Sequence, residues 1–323
     1  MKHNYQIKQV NSPFDDTAFF VRNIYKKDAF LLDCGRLGDL SNSEILDVRD
    51  VFISHTHIDH FYGFDRILRG CLRSEKPIRF YGPPGFINNV KGKLASYTWN
   101  LIKSYPLVIE AHELDKDIIR KAVFSASKGF IPDYEEDLLK ERIFGDRFEF
   151  EYELFDHKTV SVGYRIKEPV HINIKKNMLD ELKLKPGHWL TDLKDRLLRG
   201  EKSGIIEVEG KVYEISYLEQ QLVIYSEPHD ITFITDIAPT YENFKKAVDF
   251  AKGSYILLIE AMFRKNDVLH AIDKSHLTVA LSKEIFKLSG SKFVKFFHFA
   301  PKYEYDKSGF FSELYDGLSE KII

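Results

Sequence analysis

The chain has 323 residues, 44% of them hydrophobic, and its 47 basic and 49 acidic side chains leave a formal net charge of −2. That length can bury one large core or two modest ones, the composition excludes a disordered chain, and the charge gives no global sign of nucleic-acid affinity. No run of about 18 apolar residues marks a membrane span. Two cysteines, Cys34 and Cys71, and a start (Met1-Lys2-His3-Asn4-Tyr5-Gln6) without the apolar segment of a secretory signal lead to the expectation of a reduced, cytoplasmic protein.

In chain order, Thr17-Ala18-Phe19-Phe20-Val21 and Ala29-Phe30-Leu31-Leu32-Asp33 read as short strands, the second ended by Asp33-Cys34-Gly35. Val51-Phe52-Ile53 leads into His55-Thr56-His57-Ile58-Asp59-His60, after which Phe61 to Arg69 carries apolar residues at helical spacing. Pro77 to Tyr81, followed by Gly82-Pro83-Pro84-Gly85, reads as a strand running into a turn, and strand chemistry recurs at 147–155, 160–166, 222–225 and 231–235. Helical patterns fall at about 86–103, 134–143, 240–252 and 276–289. Strands and helices do not alternate strictly, so two mainly antiparallel sheets flanked by helices are expected rather than a doubly wound sheet.

Between 171 and 203, Lys175, Lys176, Lys183, Lys185, Lys194, Arg196, Arg199 and Lys202 outnumber Asp180, Glu181, Asp192, Asp195 and Glu201. This locally cationic stretch is either a solvated helix pair or an RNA-contacting arm. No low-complexity tract, internal repeat or clear linker divides the chain, which reads as a single domain over 1–323.

Four potential metal ligands within six residues, His55, His57, Asp59 and His60, are hard to explain as packing, because ionisable groups this dense need solvent, a partner or a cation. In an extended loop His55 and His57 point to one side and can pinch one ion, leaving Asp59 and His60 for a neighbour. A two-metal site needs further ligands, including a carboxylate bridging ions about 3.5 to 4 Å apart. His157, Asp236 and His298 each follow an apolar run, where loops collect at a sheet edge.

These motifs, together with Val162-Gly163-Tyr164-Arg165-Ile166, His276-Leu277-Thr278 and His298-Phe299-Ala300-Pro301-Lys302-Tyr303, resemble in order those of ribonuclease Z, a tRNA 3′-processing endonuclease family of the metallo-β-lactamase superfamily. The resemblance runs from about 29 to 306. It implies a metallo-β-lactamase αβ/βα sandwich of two mixed, mainly antiparallel sheets flanked by helices, with the site at one sheet edge. By motif position His55, His57 and His157 would hold one Zn2+, and Asp59, His60 and His298 a second, with Asp236 bridging; Mn2+ is the other metal considered. A hydroxide held between the ions would attack phosphorus. The matching histidine of the family contacts the scissile phosphate, which assigns His276 to protonating the departing oxygen, with Glu260 orienting it; Asp59 is counted among the catalytic residues as well as the ligands. The segment 163–201 resembles the family's exosite arm, with Lys183, Lys185 and Lys194 as substrate-binding candidates, and a homodimer is implied.

The implied activity is a zinc-dependent phosphodiesterase processing the 3′ end of precursor tRNA. Alternatives are a dinuclear zinc hydrolase of a small phosphodiester or other ester, and a non-catalytic binding or regulatory protein on the same scaffold. The sequence departs from the family where Val10-Asn11-Ser12-Pro13-Phe14 replaces a Gly-Thr-Gly-Ser loop, where Thr235-Asp236-Ile237 replaces Gly-Asp-Thr, where Ile259-Glu260-Ala261-Met262 replaces His-Glu-Ala-Thr, and at Ala300 and Lys302. Loss of those hydroxyls and of one histidine is expected to remove hydrogen bonds that orient metal ligands. His112, His171, His188, His229 and His270 lack motif partners and read as surface or packing residues.

Overall fold

The computed structural model describes residues 5–23, 28–135, 137–139, 149–167, 172–225, 229–318 and 321–323. The chain divides into two compact units, one formed by Met1–Lys167 with His229–Ile323 and the other by Glu168–Pro228. The strands run in order β1 (Tyr5–Gln9), β2 (Phe19–Asn23), β3 (Ala29–Leu32), β4 (Val48–Phe52), β5 (Ile78–Gly82), β6 (Val108–Leu114), β7 (Ile118–Ser125), β8 (Pro132–Tyr134), β9 (Leu138–Leu139), β10 (Glu149–Asp156) and β11 (Val160–Lys167). The smaller unit holds β12 (Ile172–Ile174), β13 (Ile205–Val208), β14 (Lys211–Glu214) and β15 (Val223–Tyr225), after which come β16 (Ile231–Ile234), β17 (Ile256–Glu260) and β18 (Phe293–Phe297).

In the larger unit the first sheet has the order β1 to β8, with β9 also paired to β7. β3, β4, β5 and β6 are mutually parallel and the outer pairs are antiparallel. The second sheet, β10-β11-β16-β17-β18, is antiparallel up to β16 and parallel beyond it. Alternation of side chains explains the layering. Phe19, Phe30, Leu32 and Phe52 of one sheet share a buried cluster with Tyr164, Phe233, Leu258 and Phe297 of the other. The intervening residues Phe20, Leu31 and Val51 face a second cluster with helices Phe64–Cys71 and Phe86–Ala95, and Ile234, Leu257 and Phe296 face a third with helix Val279–Ser289. The result is helix, sheet, sheet, helix, and strands buried on both faces read as nearly continuous apolar runs. This is the metallo-β-lactamase αβ/βα sandwich.

The expected helix at 134–143 is not observed among its described residues: Pro132–Tyr134 and Leu138–Leu139 pair along β7 instead, and 140–143 lie outside the described residues. The helix expected to reach 103 ends at Ala95, where the chain turns back and Trp99 Nε1 donates to the Leu94 carbonyl at 2.7 Å. The span 163–201 crosses the division between the units. Gly163 to Lys167 lie in β11, paired with β10 and β16, whereas the smaller unit continues through hairpin β13–β14 and helix Ile215–Leu222. It has its own core, including Leu179, Leu193, Ile206, Ile215, Leu218 and Leu222. Residues 222–225 contribute β15, which pairs with β12. No helix among the described residues is long and apolar enough to cross a membrane.

Tyr164 ties the two sheets together: fully buried, its hydroxyl donates to the Ile53 carbonyl at 2.7 Å and lies 3.2 Å from that of Tyr81. Replacing Tyr164 by Phe leaves the packing and deletes the bond, so a loss of about 1–2 kcal/mol in unfolding free energy is expected by denaturant titration; an unchanged midpoint and slope would contradict this role.

Candidate metal centre

The polar residues singled out in the sequence collect at the carboxyl ends of the parallel strands. The 55–60 loop follows β4, Asp236 follows β16, Glu260 closes β17 and His298 follows β18, while His157 lies in the turn between β10 and β11. Asp33, Asp236 and His298 leave their strands with φ of 55°, 51° and 58°, and Ser275 next to His276 has 61°. Left-handed backbone is uncommon for residues other than glycine, and its recurrence around one cluster marks a place where side-chain direction outweighs backbone comfort.

One ligand atom from each of His55, His57, His157 and Asp236 falls within 4.8 Å of the others, and the same holds for Asp59, His60 and His298. Asp236 joins the two sets. Its Oδ2 lies 3.6 Å from His55 Nε2 and 3.5 Å from both His60 Nε2 and His157 Nε2, and its Oδ1 lies 3.3 Å from His298 Nδ1. Asp59 Oδ2 is 3.3 Å from His60 Nε2 and from His298 Nε2.

What aims these rings is the partner of each opposite nitrogen. His60 Nδ1 donates to Asp33 Oδ2 at 2.6 Å, His157 Nδ1 donates to the Ser275 carbonyl at 2.8 Å, and His55 Nδ1 lies 3.1 Å from Ser54 Oγ. Ser54 Oγ in turn donates to Asp33 Oδ2 at 2.8 Å, and the Ser54 backbone N–H donates to Oδ1 at 2.7 Å. With Nδ1 protonated, Nε2 of His55, His60 and His157 presents a lone pair toward Asp236, the tautomer a metal ligand requires. His55 Nε2, His60 Nε2 and His298 Nδ1 are buried without a hydrogen-bond partner. Such nitrogens are costly unless something else occupies their lone pairs, and a divalent cation fits the set.

The loop backbone is fastened as firmly. Thr17 N–H donates to Asp59 O at 3.1 Å, Cys34 N–H to His60 O at 2.9 Å and Gly63 N–H to Cys34 O at 2.7 Å. A Cβ on Gly35 would sit 2.3 Å from Asp59 O, and one on Gly63 would sit 2.3 Å from Gly35 O, so both approaches require glycine.

Charge within the cluster is polarised. Burial, with the neighbouring His60, pushes His55 down to about 2. His60 behaves oppositely: burial favours its neutral ring, but Asp236 and Asp33 hold it well above the ordinary imidazole range. Burial alone would raise Asp59 and Asp236, yet the neighbouring His298 and His60 hold both carboxylates low. Two anionic carboxylates among imidazoles therefore demand positive charge, from protons or from a metal.

His276 sits at the rim of this arrangement. Its Nδ1 is 2.9 Å from Glu260 Oε2 and 4.0 Å from Asp236 Oδ2. Although burial opposes protonation, the Glu260 carboxylate and then Asp236 raise it to about 9. Thr278 caps the following helix by accepting from Leu281 N–H at 3.3 Å, which fixes where the His276 turn ends. Glu260 is fully buried and its Oε1 accepts from Ile237 N–H at 2.8 Å, so one carboxylate steadies both the His276 ring and the loop bearing Asp236.

Of the sequence candidates, His55, His57, Asp59, His60, His157, Asp236, Glu260, His276 and His298 come together, whereas Lys183, Lys185 and Lys194 belong to the smaller unit. His112 stacks on Tyr81 and His270 on Phe263, and His229 packs at a tilt against Tyr255. His188 begins helix His188–Leu198, and His171 lies outside the described residues. Asp236 is not short of a hydroxyl partner, contrary to expectation: Thr235, which precedes it, donates to Oδ1 at 2.6 Å. Asp33 and Ser54 were not singled out. Asp33 closes an apolar run just as Asp236 and His298 do, and that pattern is the signal that could have found it.

No family model matches the chain. Its fold is the metallo-β-lactamase fold: the metallo-β-lactamase fold protein YhfI of Bacillus subtilis superposes with a TM-score of 0.54 at 11% identity, covering 98% of this chain and 94% of that one. Human tRNase Z, short form, superposes with a TM-score of 0.52 at 15% identity, covering 92% and 93%. Within that class the chain resembles ribonuclease Z over most of its length. The ribonuclease Z of Deinococcus radiodurans is 25% identical over 283 residues, covering 84% of this chain and 82% of that one, and that of Pyrococcus horikoshii is 25% identical over 294 residues, covering 86% and 79%. The resemblance read from the motifs is borne out.

Asp33→Asn keeps the shape of the side chain and removes its charge. Metal affinity measured by competition with a chelating dye is expected to fall about 10- to 100-fold with the fold retained by circular dichroism; unchanged affinity would show that the loop is aimed by something else.

Proposed function

We propose that this chain is a metal-dependent phosphodiesterase, specifically an endoribonuclease that removes the 3′ extension of precursor tRNA and leaves a 3′-hydroxyl. The observation that carries this reading is the convergence of six candidate ligand side chains around a seventh, Asp236, with an imidazole held by Glu260 at their rim, in a chain similar along most of its length to ribonucleases Z. His55, His57 and His157 would hold one divalent ion, Asp59, His60 and His298 the second, and Asp236 both; an imidazole-rich set with carboxylates suits zinc, with manganese as the other metal. When bound, such ions acidify water and stabilise charge on phosphoryl oxygens.

The chain's own residues supply positioning and proton transfer. His276 commits Nδ1 to Glu260, which leaves Nε2 for the leaving oxygen, and the carboxylate favours the protonated ring that a general acid needs. Lys183, Lys185 and Lys194 are assigned to RNA phosphates as part of an arm over 163–201. Lys183 and Lys185 are exposed, and Lys194 lines a cleft of the smaller unit with Lys176, Leu179 and Leu190. A homodimer belongs to the same reading and rests on the likeness to ribonucleases Z, and a cytoplasmic location belongs to it through the expectation of a reduced protein with two cysteines.

Incubation with a 3′-extended tRNA and zinc or manganese should give one dominant cut after the discriminator position. His276→Ala should retain metal and lose turnover by about 10²-fold or more. Absence of cleavage with either metal would refute the tRNA assignment, and turnover of bis-p-nitrophenyl phosphate alone would favour a small phosphodiester. Parallel loss of metal in His276→Ala would make that residue a ligand rather than an acid.

A further inference from the structure

Beyond the metal loop, the chain lays out a second feature that the chemistry above does not use. Helix Ile58–Phe61 begins at His57, and the backbone stays right-handed through Tyr62 and Gly63 into helix Phe64–Cys71. Ile58, Tyr62, Asp65, Arg69 and Leu72 follow one another at steps of four and three, which places them along one side. Ile58 is 76% exposed and Tyr62 55% exposed, unusual values for such residues directly beside a buried polar cluster.

This side leads into a cleft of about 310 Å³ lined by Asp65, Leu68, Arg69, Leu72, Tyr97 and Trp99, together with Thr98, a size that suits a small planar ligand. Trp99 forms a fixed wall: its Nε1 donates to Leu94 O, and its ring meets Phe130 edge-on at 4.8 Å and Tyr97 at 5.7 Å. Tyr97 is 46% exposed. In the cleft Asp65 Oδ2 pairs with Lys93 at 2.8 Å while its Oδ1 is buried without a partner, and among the described residues none pairs with the Arg69 guanidinium.

The cleft is also tied to the metal loop. Asn89 Nδ2 donates to Thr56 Oγ1 at 2.7 Å, and Thr56 stands between the ligands His55 and His57. Asn89 and Ser96, at the end of the same helix, are about 10 Å apart along its axis, so the aromatic residues that follow are within reach of nucleotides next to the reacting phosphate.

We infer that this cleft binds an unpaired nucleobase of the RNA segment 3′ to the cut, packed into the corner that the Tyr97 and Trp99 rings make at 65° to each other, with Arg69 on an adjoining phosphate. The inference rests on the proposed RNA-cleaving function. Aromatic faces and one free cation suit single-stranded RNA, whereas a duplex hides its base faces; in a precursor whose mature end is paired, the extension is the unpaired side.

The chain has two tryptophans, Trp99 and Trp189, so Trp189→Phe in the full-length protein leaves Trp99 as the reporter. Titration with hexauridylate should quench it saturably, and Tyr97→Ala or Arg69→Glu should each weaken that binding about tenfold. On precursor tRNA, the ratio of kcat/KM for a six-nucleotide over a one-nucleotide extension should fall by a similar factor in both variants. No saturable quenching, or quenching that neither substitution changes, would overturn the inference. So would sedimentation showing that the exposed strip instead joins two copies and that both substitutions dissolve the pair. Saturable cleft binding without cleavage of any precursor would support this site and reject the tRNA-processing reading, so the two failures are distinguishable.

Discussion

The carboxylate of Asp33 receives the Nδ1–H of His60, the hydroxyl of Ser54 and the backbone N–H of Ser54, and those three bonds set the direction of His60 and, through Ser54, of His55. Burying a carboxylate completely is costly, and burial does raise its pKa, against the opposing pull of His60 and Ser54. The cost is offset by charge-assisted bonds that do two things at once: they fix the tautomer of His60, and through Ser54 they orient His55. Without them, the rings would be free to turn their nitrogens toward water or toward one another.

The larger fold makes such a residue available. Parallel strands β3 and β4 end together, so a side chain just past Leu32 meets the start of the loop past Phe52; Asp33 N–H donating to Phe52 O at 2.8 Å is the backbone expression of that pairing. On the opposite sheet β16, β17 and β18 end in register and deliver Asp236, Glu260 and His298. Tyr164, bonded to the carbonyl of Ile53, links the sheets one residue before Ser54. The site is thus built where two sets of strand ends face each other, and the left-handed residues at three of those ends turn polar side chains inward.

Much of this was legible in the sequence because its signals are local. The six-residue loop points to a metal site by density alone, and apolar runs ending in His157, Asp236 and His298 locate the distant members of the cluster. The layering was legible for the same reason, since strands buried on both faces leave continuous apolar runs. Asp33 escaped because an aspartate before Cys34-Gly35 has the chemistry of an ordinary turn, and only the pairing of β3 with β4 brings it to His60, 27 positions later. The strands at 132–134 and 138–139 escaped because two adjacent leucines carry no period and find their place only along β7. The compact core of the smaller unit was obscured by its charge: lysines on the surface drew attention from Leu179, Leu193 and Leu218 between them.

In the proposed centre, seven side chains from both sheets would hold a pair of divalent ions shared through Asp236. Anomalous diffraction at the zinc edge from crystals of the zinc-loaded protein tests it most directly. Two peaks about 3.5 to 4 Å apart are predicted, one beside His55, His57 and His157 and the other beside Asp59, His60 and His298, with Asp236 between them. A single peak, or peaks elsewhere on the molecule, would contradict it.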